Sequence, residues 1–346
     1  MYYLRDGLGS PALAGIFCIA CVAASYGIGN MTQANALAGA AAVFSLPAAA
    51  SGLAAALLTG LVMLGGFGRI AAVTGKLVPV MGVLYLAASA AALAANWRAV
   101  PRALGEILAG AFSLRSAAGG AAGYTMLTAL RYGVSRGIFS NEAGLGSAPI
   151  AHSGAQTADP ARQGLWGMFE VFFDTIVMCT VTTLVILTAG GGKLWHTLPP
   201  GQMTAAAFSA SLGPSGEGIV SVSVIFFALS TLMSWSLYGE RALEYLGAGK
   251  RGIFCYRAGY LALIAAGALV RIDLVWGLAD LFNGLMAIPN LIAVFALSPA
   301  VFSATRQFER SLGAYGRKKR KSSEKQITYC NYKKKFVKLD KMWRLQ

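Results

Sequence analysis

The stretch SNEAGLGSAP, residues 140–149, interrupts sequence that is otherwise apolar and typical of helices. It places a carboxylate, Glu142, beside Gly144, Gly146 and Pro149. A break in a membrane helix frees backbone N–H and C=O groups, and each one left without a partner is costly in lipid. Such a break is stable only where it lines a polar cavity or is buried in protein. The stretch therefore predicts a functional break within a membrane span.

Each residue type in this stretch suits a broken helix. The motif consists of Ser140, Asn141, Glu142, Gly144, Gly146, Ser147 and Pro149. Glycine permits an unwound backbone, and proline suits the first turn of a following helix. A carboxylate at membrane depth is costly and therefore usually functional. We predict that residues 139–147 are non-helical at membrane depth between two half-helices, whose ends offer N–H groups to a carboxylate or carbonyls to a cation.

Two other interpretations of the stretch remain open. It is an ordinary loop if one span covers 120–138 and the next begins near 163, although Arg131 and Arg136 make the first of these a poor span. A nucleotide-binding loop is less favoured, because the third glycine is missing and no strand precedes the stretch.

The composition indicates an integral membrane protein. The 346 residues are 56% hydrophobic and 12% charged, with a mean hydropathy of +0.59, whereas soluble domains are about 25% charged. Runs of roughly 20 apolar residues are long enough to span a bilayer. They predict eight spans, at 11–30, 46–66, 77–96, 120–150, 163–190, 218–239, 254–271 and 278–301.

Positive charge is concentrated at the C-terminus. Twelve Lys or Arg residues lie between Arg317 and Gln346, against Glu324 and Asp340. A basic segment after a last span is typical of the cytoplasmic side and of contact with anionic lipid, and nucleic-acid binding is disfavoured. We predict a membrane domain over 1–302 and a disordered cytoplasmic tail over 303–346.

The same rule places the loops of the membrane domain. With the tail inside and eight spans, the N-terminus is also inside, loop 67–76 is inside, and loops 31–45 and 191–217 are outside. Loop 97–119 is an exception, because it is outside yet basic. Its segment PRALGEILAGAF, 101–112, is predicted as a short interfacial helix.

Catalytic and metal-binding patterns are weak. Cys18 and Cys21 form a CxxC, but within an apolar run and without a second pair, which favours helix packing over a metal site. His152 and His196 are the two histidines and lie in predicted loops. No Ser-His-Asp or metal-ligand spacing is present, so we expect neither an enzyme nor a cofactor.

Two further polar clusters lie in apolar segments. Ser230, Thr231, Ser234 and Trp235 fall within 218–239, and Thr231 and Trp235 share one helix face. Back-bonding of these hydroxyls to the i−4 carbonyl is an alternative to a ligand role. The third cluster holds Asn30, Gln33 and Asn35 at the end of the first predicted span, where it indicates a helix stop.

Together these clusters resemble the alanine or glycine:sodium symporter family. GVSRGIFSNEAGLGSAPIAH is similar to the family's most distinctive signature, and similar blocks run from about Met1 to Phe302. They include GIGNMTQAN, LVPVMGVLY, FFALSTLMSWSLYGE and LADLFNGLMAIPNL. The resemblance implies an all-α, leucine-transporter-type fold of two inverted five-helix repeats, with the first helix of each repeat broken. Residues 120–150 match its sixth helix.

The resemblance also implies a function and a set of site residues. The expected activity is sodium-coupled symport of a small neutral amino acid in a bacterial plasma membrane, with alanine versus glycine and sodium versus proton left open. Ser230 and Thr231 would hold sodium. The amino acid would contact Gln33, Phe139, Asn141, Gly144, Thr231 and Trp235, and we predict that Thr231 and Trp235 face the same cavity as 139–144.

Two departures from the family qualify that expectation. The family has two more helices upstream of the position that matches Met1, so we expect an N-terminally truncated form that does not support uptake by itself. The alternative is a non-transporting membrane remnant, or a subunit that needs a partner. The basic tail after Arg317 does not resemble the family.

Overall fold

The computed structural model describes residues 1–112, 121–157, 159–192, 194, 198, 200–270 and 272–312. Across these residues the chain is helical, without a strand. The helices are α1 Pro11–Ala42, α2 Ala48–Met63, α3 Gly66–Ala95, α4 Val100–Phe112, α5 Ala121–Asn141, α6 Ala148–His152, α7 160–188, α8 Pro200–Leu212, α9 Pro214–Tyr245, α10 Lys250–Gly267, α11 Ile272–Ala296 and α12 298–312.

The chain forms two compact units. The larger comprises Met1–Ala155 and Gly167–Phe295, and the smaller combines Gln156–Trp166 with the described residues 296–312. The first ten residues of the predicted disordered tail, 303–312, are instead the second part of helix α12. The rest of that tail, with its basic cluster, lies outside the described residues, as does His196.

Helix α9 is the centre of the larger unit. It packs along its length against α1, α3 and α8, and also contacts α2 and α10. Small residues permit close helix approach where lipid removes the hydrophobic drive to associate. Accordingly α9 buries serines beside its large side chains, and the hydroxyls of Ser223 and Ser236 donate to carbonyls of their own helix at 2.9 and 2.7 Å. These polar groups are thereby satisfied without water.

Five of the described helices are long and apolar enough to cross a membrane. They are Pro11–Ala42, Gly66–Ala95, Pro160–Gly192, Pro214–Tyr245 and Val275–Ala296. Helices also lie in the other predicted spans, but α2 has only 16 residues, α5 carries Arg131 and Arg136, and α10 carries Arg257. The number of eight spans therefore stays a prediction. Large exposed apolar side chains, such as Leu61 at 61% and Val83 at 69% exposure, suit a lipid environment.

Several predicted loops are helical. Helix α1 continues through most of the predicted outer loop 31–45, and α3 includes the predicted inner loop 67–76. Alanine-rich sequence favours helix over 32–42. At the start of α3, the guanidinium of Arg69 donates to the Leu61 carbonyl of α2 at 3.1 Å. Helix α4 covers the segment predicted as an interfacial helix, and α8 lies within the predicted outer loop 191–217.

A two-point ion pair joins α9 to α10 and gives a test of the packing. Arg257 donates to both carboxylate oxygens of Glu240 at 2.7 and 2.8 Å, and the Glu240 side chain is only 12% exposed. We expect Glu240→Gln to lower the free energy of unfolding by about 1–3 kcal/mol, because a partly buried guanidinium loses its counter-charge. The measurement is denaturant titration in mixed micelles.

Glu244→Gln is the matched control for this prediction. Glu244 accepts from Arg241 at 2.6 Å, but both side chains are more than 40% exposed. Exposed pairs contribute little, so a change of at most about 0.5 kcal/mol is expected. Equal losses in the two variants would contradict the assignment of Glu240–Arg257 as the stronger contact.

Candidate functional site

The predicted break is present and begins later than predicted. Helix α5 ends at Asn141, and the next six residues, Glu142–Ser147, are non-helical before α6 begins at Ala148. The prediction of 139–147 was wrong for Phe139, Ser140 and Asn141. The Glu142 N–H still donates to the Ile138 carbonyl at 3.0 Å, so the chain leaves the helix only where Glu142 takes φ +54°. The helix that follows, α6, has only five residues.

Protein groups satisfy the backbone and amides around this break. The Asn141 side-chain oxygen accepts from the Ala143 N–H at 2.9 Å, and the Leu145 N–H donates to the Glu142 carbonyl at 3.1 Å. The Asn290 amide of α11 donates to the Gly144 carbonyl at 2.8 Å. Protein groups therefore pair several of the polar groups that the unwound segment frees, as a break buried in protein requires.

The Glu142 carboxylate ties the break to α9. Its Oε1 accepts from the Trp235 indole N–H at 2.7 Å, and its Oε2 accepts from the Ser147 hydroxyl at 2.6 Å. Trp235 is 1% exposed, so its N–H has no access to bulk water. Both oxygens of the carboxylate are used, and the pair fixes the start and the end of the break relative to the central helix.

Close packing explains the second glycine of the break. Gly146 has φ +87°, a conformation that glycine adopts readily. A Cβ added there would also lie 2.7 Å from the Phe17 ring and 3.1 Å from the Asn290 side chain. The backbone of the break thus lies directly against α1 and α11.

Helix α1 contains a π-helical turn, Gly27–Met31, beside the break's partner Trp235. A Cβ on Gly29 would lie 2.2 Å from Trp235 Cβ, so only glycine fits. The Gly29 carbonyl accepts from the Tyr260 hydroxyl at 2.8 Å, and the buried Asn30 amide donates to the Tyr260 carbonyl at 2.7 Å. The turn therefore connects α1 to both α9 and α10.

The prediction of a helix stop at Asn30, Gln33 and Asn35 was wrong. The helix continues because the π-turn Gly27–Met31 accommodates one residue more than an α-helical turn does. The side-chain amides of the three residues donate to carbonyls. Gln33 donates to the Ile28 carbonyl at 3.2 Å within α1, and Asn35 donates to the Val270 carbonyl at 2.9 Å.

The predicted site residues do not form a single cluster. Trp235, Glu142 and Ser147 are in contact, as described above. Ser140 and Asn141 instead face α7, where they donate to Asp174 at 2.7 Å and to Thr175 at 2.8 Å.

Phe139 lies apart from the Trp235 contact, on the side of α5 that faces α11. Its ring centroid is 4.6 Å from that of Trp276, and the neighbouring Arg136 forms an ion pair with Asp280 at 2.8 Å. The carboxylate of Asp280 in α11 compensates the charge of Arg136 in α5. The Arg136 guanidinium also lies 4.0 Å from the centre of the Trp276 ring.

The two predicted sodium ligands are oriented by their own helix. The hydroxyls of Ser230 and Thr231 both donate to the Phe227 carbonyl, at 2.8 and 3.0 Å. Back-bonding within the helix, the alternative to a ligand role in the sequence analysis, is therefore present, to the i−4 carbonyl for Thr231 and to the i−3 carbonyl for Ser230. A hydroxyl that donates its hydrogen keeps its oxygen lone pairs, so a ligand role for Ser230 and Thr231 stays a prediction.

Sequence reasoning missed Asp174, Asp280 and Asn290. All three lie in predicted apolar spans, and a polar or charged residue there was itself a signal of function. Cys18 and Cys21 are both buried in α1, and Cys21 Sγ lies 3.9 Å from the Tyr238 carbonyl, in keeping with a packing role. Among the described residues, no group of three or more His, Cys, Asp or Glu is placed to hold a metal ion.

A family model for sodium:alanine symporters matches residues 1–324. The chain belongs to the sodium:alanine symporter family. The match confirms the resemblance and extends beyond Phe302, where the sequence comparison ended. It is a transporter family, and with several long apolar helices the chain is a multi-pass protein of the bacterial plasma membrane.

Characterised and uncharacterised relatives agree with this family. The sodium/alanine symporter AgcS of Methanococcus maripaludis is 43% identical over 316 residues, which is 89% of this chain and 68% of AgcS. An uncharacterised transporter of Haemophilus influenzae is 42% identical over 90% of this chain and 69% of its own length. The probable sodium/glutamine symporter GlnT of Bacillus subtilis is 38% identical over 89% of this chain and 64% of its own. The chain thus spans about two thirds of the length of these relatives.

Proposed function

We propose that the chain binds a small neutral amino acid, alanine or glycine, together with sodium, as part of a sodium-coupled symporter, and that it does not support uptake by itself. The family and the relatives indicate a sodium-coupled amino-acid symporter. Alanine is the substrate in the name of AgcS, and glutamine is that in the name of GlnT. Because the family consists of transporters, we propose transport rather than catalysis.

The observation that carries the proposal is the unwound segment Glu142–Ser147, held against α9 by the Glu142–Trp235 bond at 2.7 Å. In membrane transporters, interrupted helices supply backbone and side-chain groups to the substrate and the coupling ion. Of the residues proposed to meet the amino acid, Trp235 and the backbone at Gly144 lie at the break, whereas Asn141 bonds to α7 and Phe139 packs against Trp276 of α11. With Gln33 and Thr231, the side chains of this proposed set are neutral, which favours a substrate without a charged side chain.

For sodium, we propose the oxygens of Ser230 and Thr231 as ligands. Their hydrogens point to the Phe227 carbonyl, which leaves lone pairs of both oxygens for a hard cation. Sodium is the coupling ion in the description of the family and in the name of AgcS. No organic cofactor is part of the proposal.

The test is amino-acid binding to the purified 346-residue chain in lipid nanodiscs. Labelled alanine is titrated in sodium chloride and, as the control, in potassium chloride at equal ionic strength, with glycine and glutamine as competitors. We expect binding that requires sodium, competition by glycine, and weaker competition by glutamine. Binding that is equal in the two salts, or stronger competition by glutamine than by glycine, would overturn the proposal.

A further inference from the structure

The N-terminal segment Met1–Ser10 is linked to the break through one side chain of α11. The Tyr3 hydroxyl donates to Asn290 Oδ1, and Asn290 Nδ2 donates to the Gly144 carbonyl at 2.8 Å. Asn290 is 4% exposed, so its amide is removed from water and both of its ends are used by protein. The three residues form a continuous relay from the segment before α1 to the centre of the break.

The directions of the two hydrogen bonds follow from the chemistry of the groups. The Gly144 carbonyl can only accept, so the Asn290 NH₂ must face it. The Asn290 oxygen then faces Tyr3, whose hydroxyl supplies the matching donor. The Gly144 carbonyl thus sets the orientation of the amide, and Tyr3 holds Asn290 in that orientation by donating to its oxygen.

The carbonyl held in this way belongs to a residue with a special backbone conformation. Gly144 has φ +81°, and Gly146, two residues later, packs against the same Asn290 side chain. Between α5 and α6, backbone bonds alone do not fix the direction of this carbonyl. Asn290 thus makes contact with both left-handed glycines of the break.

The N-terminal segment is itself held in place. Leu4 is fully buried, and the Ser10 N–H donates to the Leu4 carbonyl at 3.0 Å. The Ser10 hydroxyl also caps the start of α1 by accepting from the Leu13 N–H at 3.5 Å. Tyr3 is therefore presented to Asn290 by an anchored segment.

We propose that Asn290, oriented by Tyr3, is a positioning residue for amino-acid binding. It fixes the Gly144 carbonyl and with it the left-handed turn that follows Glu142. The geometric part of this inference stands on the hydrogen bonds alone, and its effect on affinity rests on the proposed function of the break.

The first test is hydrogen–deuterium exchange of the break in the full chain in nanodiscs. Tyr3→Phe and Asn290→Ala are expected to speed exchange of the amides in Ala143–Ser147 by about three- to tenfold, the factor that one hydrogen bond contributes to a local opening. Tyr2→Phe and Asn283→Ala are the matched controls. Tyr2 is 55% exposed, and Asn283 is buried on the same helix, α11. If Tyr3→Phe changes the exchange rates no more than Tyr2→Phe does, or does not change them, the proposed relay from Tyr3 through Asn290 to Gly144 is wrong.

A second variant separates hydrogen bonding from general loosening. In Asn290→Asp the carboxylate cannot donate to the Gly144 carbonyl, whereas the protonated acid can, while still accepting from Tyr3. We expect faster exchange than wild type at neutral pH and a return toward the wild-type rate at acid pH. Glu142 is present in both wild type and Asn290→Asp. Comparing their exchange rates at the same pH therefore removes the effect of Glu142 on the pH dependence. An excess rate independent of pH would show structural damage only and contradict the proposal.

The functional part is tested by sodium-dependent alanine binding. Tyr3→Phe is expected to weaken the apparent affinity about three- to tenfold, and Tyr2→Phe to leave it within about twofold. Unchanged affinity with faster exchange would refute the positioning role while leaving the proposed function intact. If wild-type chain binds no alanine in sodium, the proposed function fails, and the exchange experiment still decides the relay.

Discussion

Glu142→Ala is expected to lower the free energy of unfolding by about 2–4 kcal/mol and to weaken sodium-dependent alanine binding by at least about tenfold. The substitution removes both acceptors of the carboxylate. The Trp235 N–H, at 1% exposure, then has no partner and no access to water. Denaturant titration in mixed micelles and the nanodisc binding assay measure the two effects.

A double-mutant cycle assigns the loss to the Glu142–Trp235 bond. Trp235→Phe removes the N–H and keeps a smaller ring, so it costs some packing in either background. Once Glu142 is already alanine, its cost should be smaller by a coupling energy of about 1–3 kcal/mol. Glu106→Ala is the control for loss of a glutamate, because Glu106 is exposed and lies 3.4 Å from Arg102. If the losses in the free energy of unfolding from Glu142→Ala and Trp235→Phe are additive, the Glu142–Trp235 bond does not contribute to stability.

Gly29→Ala is expected to destabilise the chain by about 3 kcal/mol or more. The new methyl carbon would overlap Trp235, at 2.2 Å from its Cβ and Cγ. Trp235 cannot retreat easily, because its indole also packs at 5.4 Å from the Tyr238 ring and donates to Glu142. Displacing the ring should therefore also break the Glu142 contact, which a shift of tryptophan fluorescence would report.

Gly39→Ala is the control for Gly29→Ala. It makes the same substitution in the same helix, but we expect it to stabilise the chain. Gly39 lies in the α-helical part Thr32–Ala42, and a Cβ there meets nothing within 4 Å. Alanine has the higher helix propensity, so a gain of up to about 1 kcal/mol is expected. The prediction for Gly29 is refuted if both variants shift the melting temperature alike.

Local chemistry was sufficient to predict the break but not its first residue. Two glycines, a proline and a carboxylate in apolar sequence have few explanations in a membrane helix, and the unwound segment is there. The predicted first residue was Phe139 and the observed one is Glu142. Helix α5 continues to Asn141 because the Glu142 N–H still donates to the Ile138 carbonyl. Residue types do not encode that bond.

The polar cluster in α1 shows where sequence reasoning fails. A π-turn and a helix stop share the same composition of glycine and asparagine. They differ in whether a distant group satisfies the freed carbonyl, and here that group is the hydroxyl of Tyr260, 231 residues after Gly29. The family resemblance predicted that Trp235 lies near residues 139–144, and Trp235 does contact Glu142. The bond from its indole N–H to the carboxylate was not predicted, because only the tertiary packing sets that geometry.

The π-turn lets α1 hold one residue more than a regular α-helix would between the same two packed parts. Each residue of an α-helix advances the side chains by about 100° around the axis, whereas a π-turn takes one extra residue for about the same rotation. Deleting one residue from Gly27–Met31 would therefore restore regular α-helix and leave Pro11–Tyr26 and Thr32–Ala42 on their present faces. Deleting one residue within 32–36 would instead turn Leu37 and Ala38, which are 4% and 5% exposed, away from their places in the core. In an evolutionary alignment, a one-residue gap in α1 is therefore expected at the π-turn and not in the regular helix that follows it.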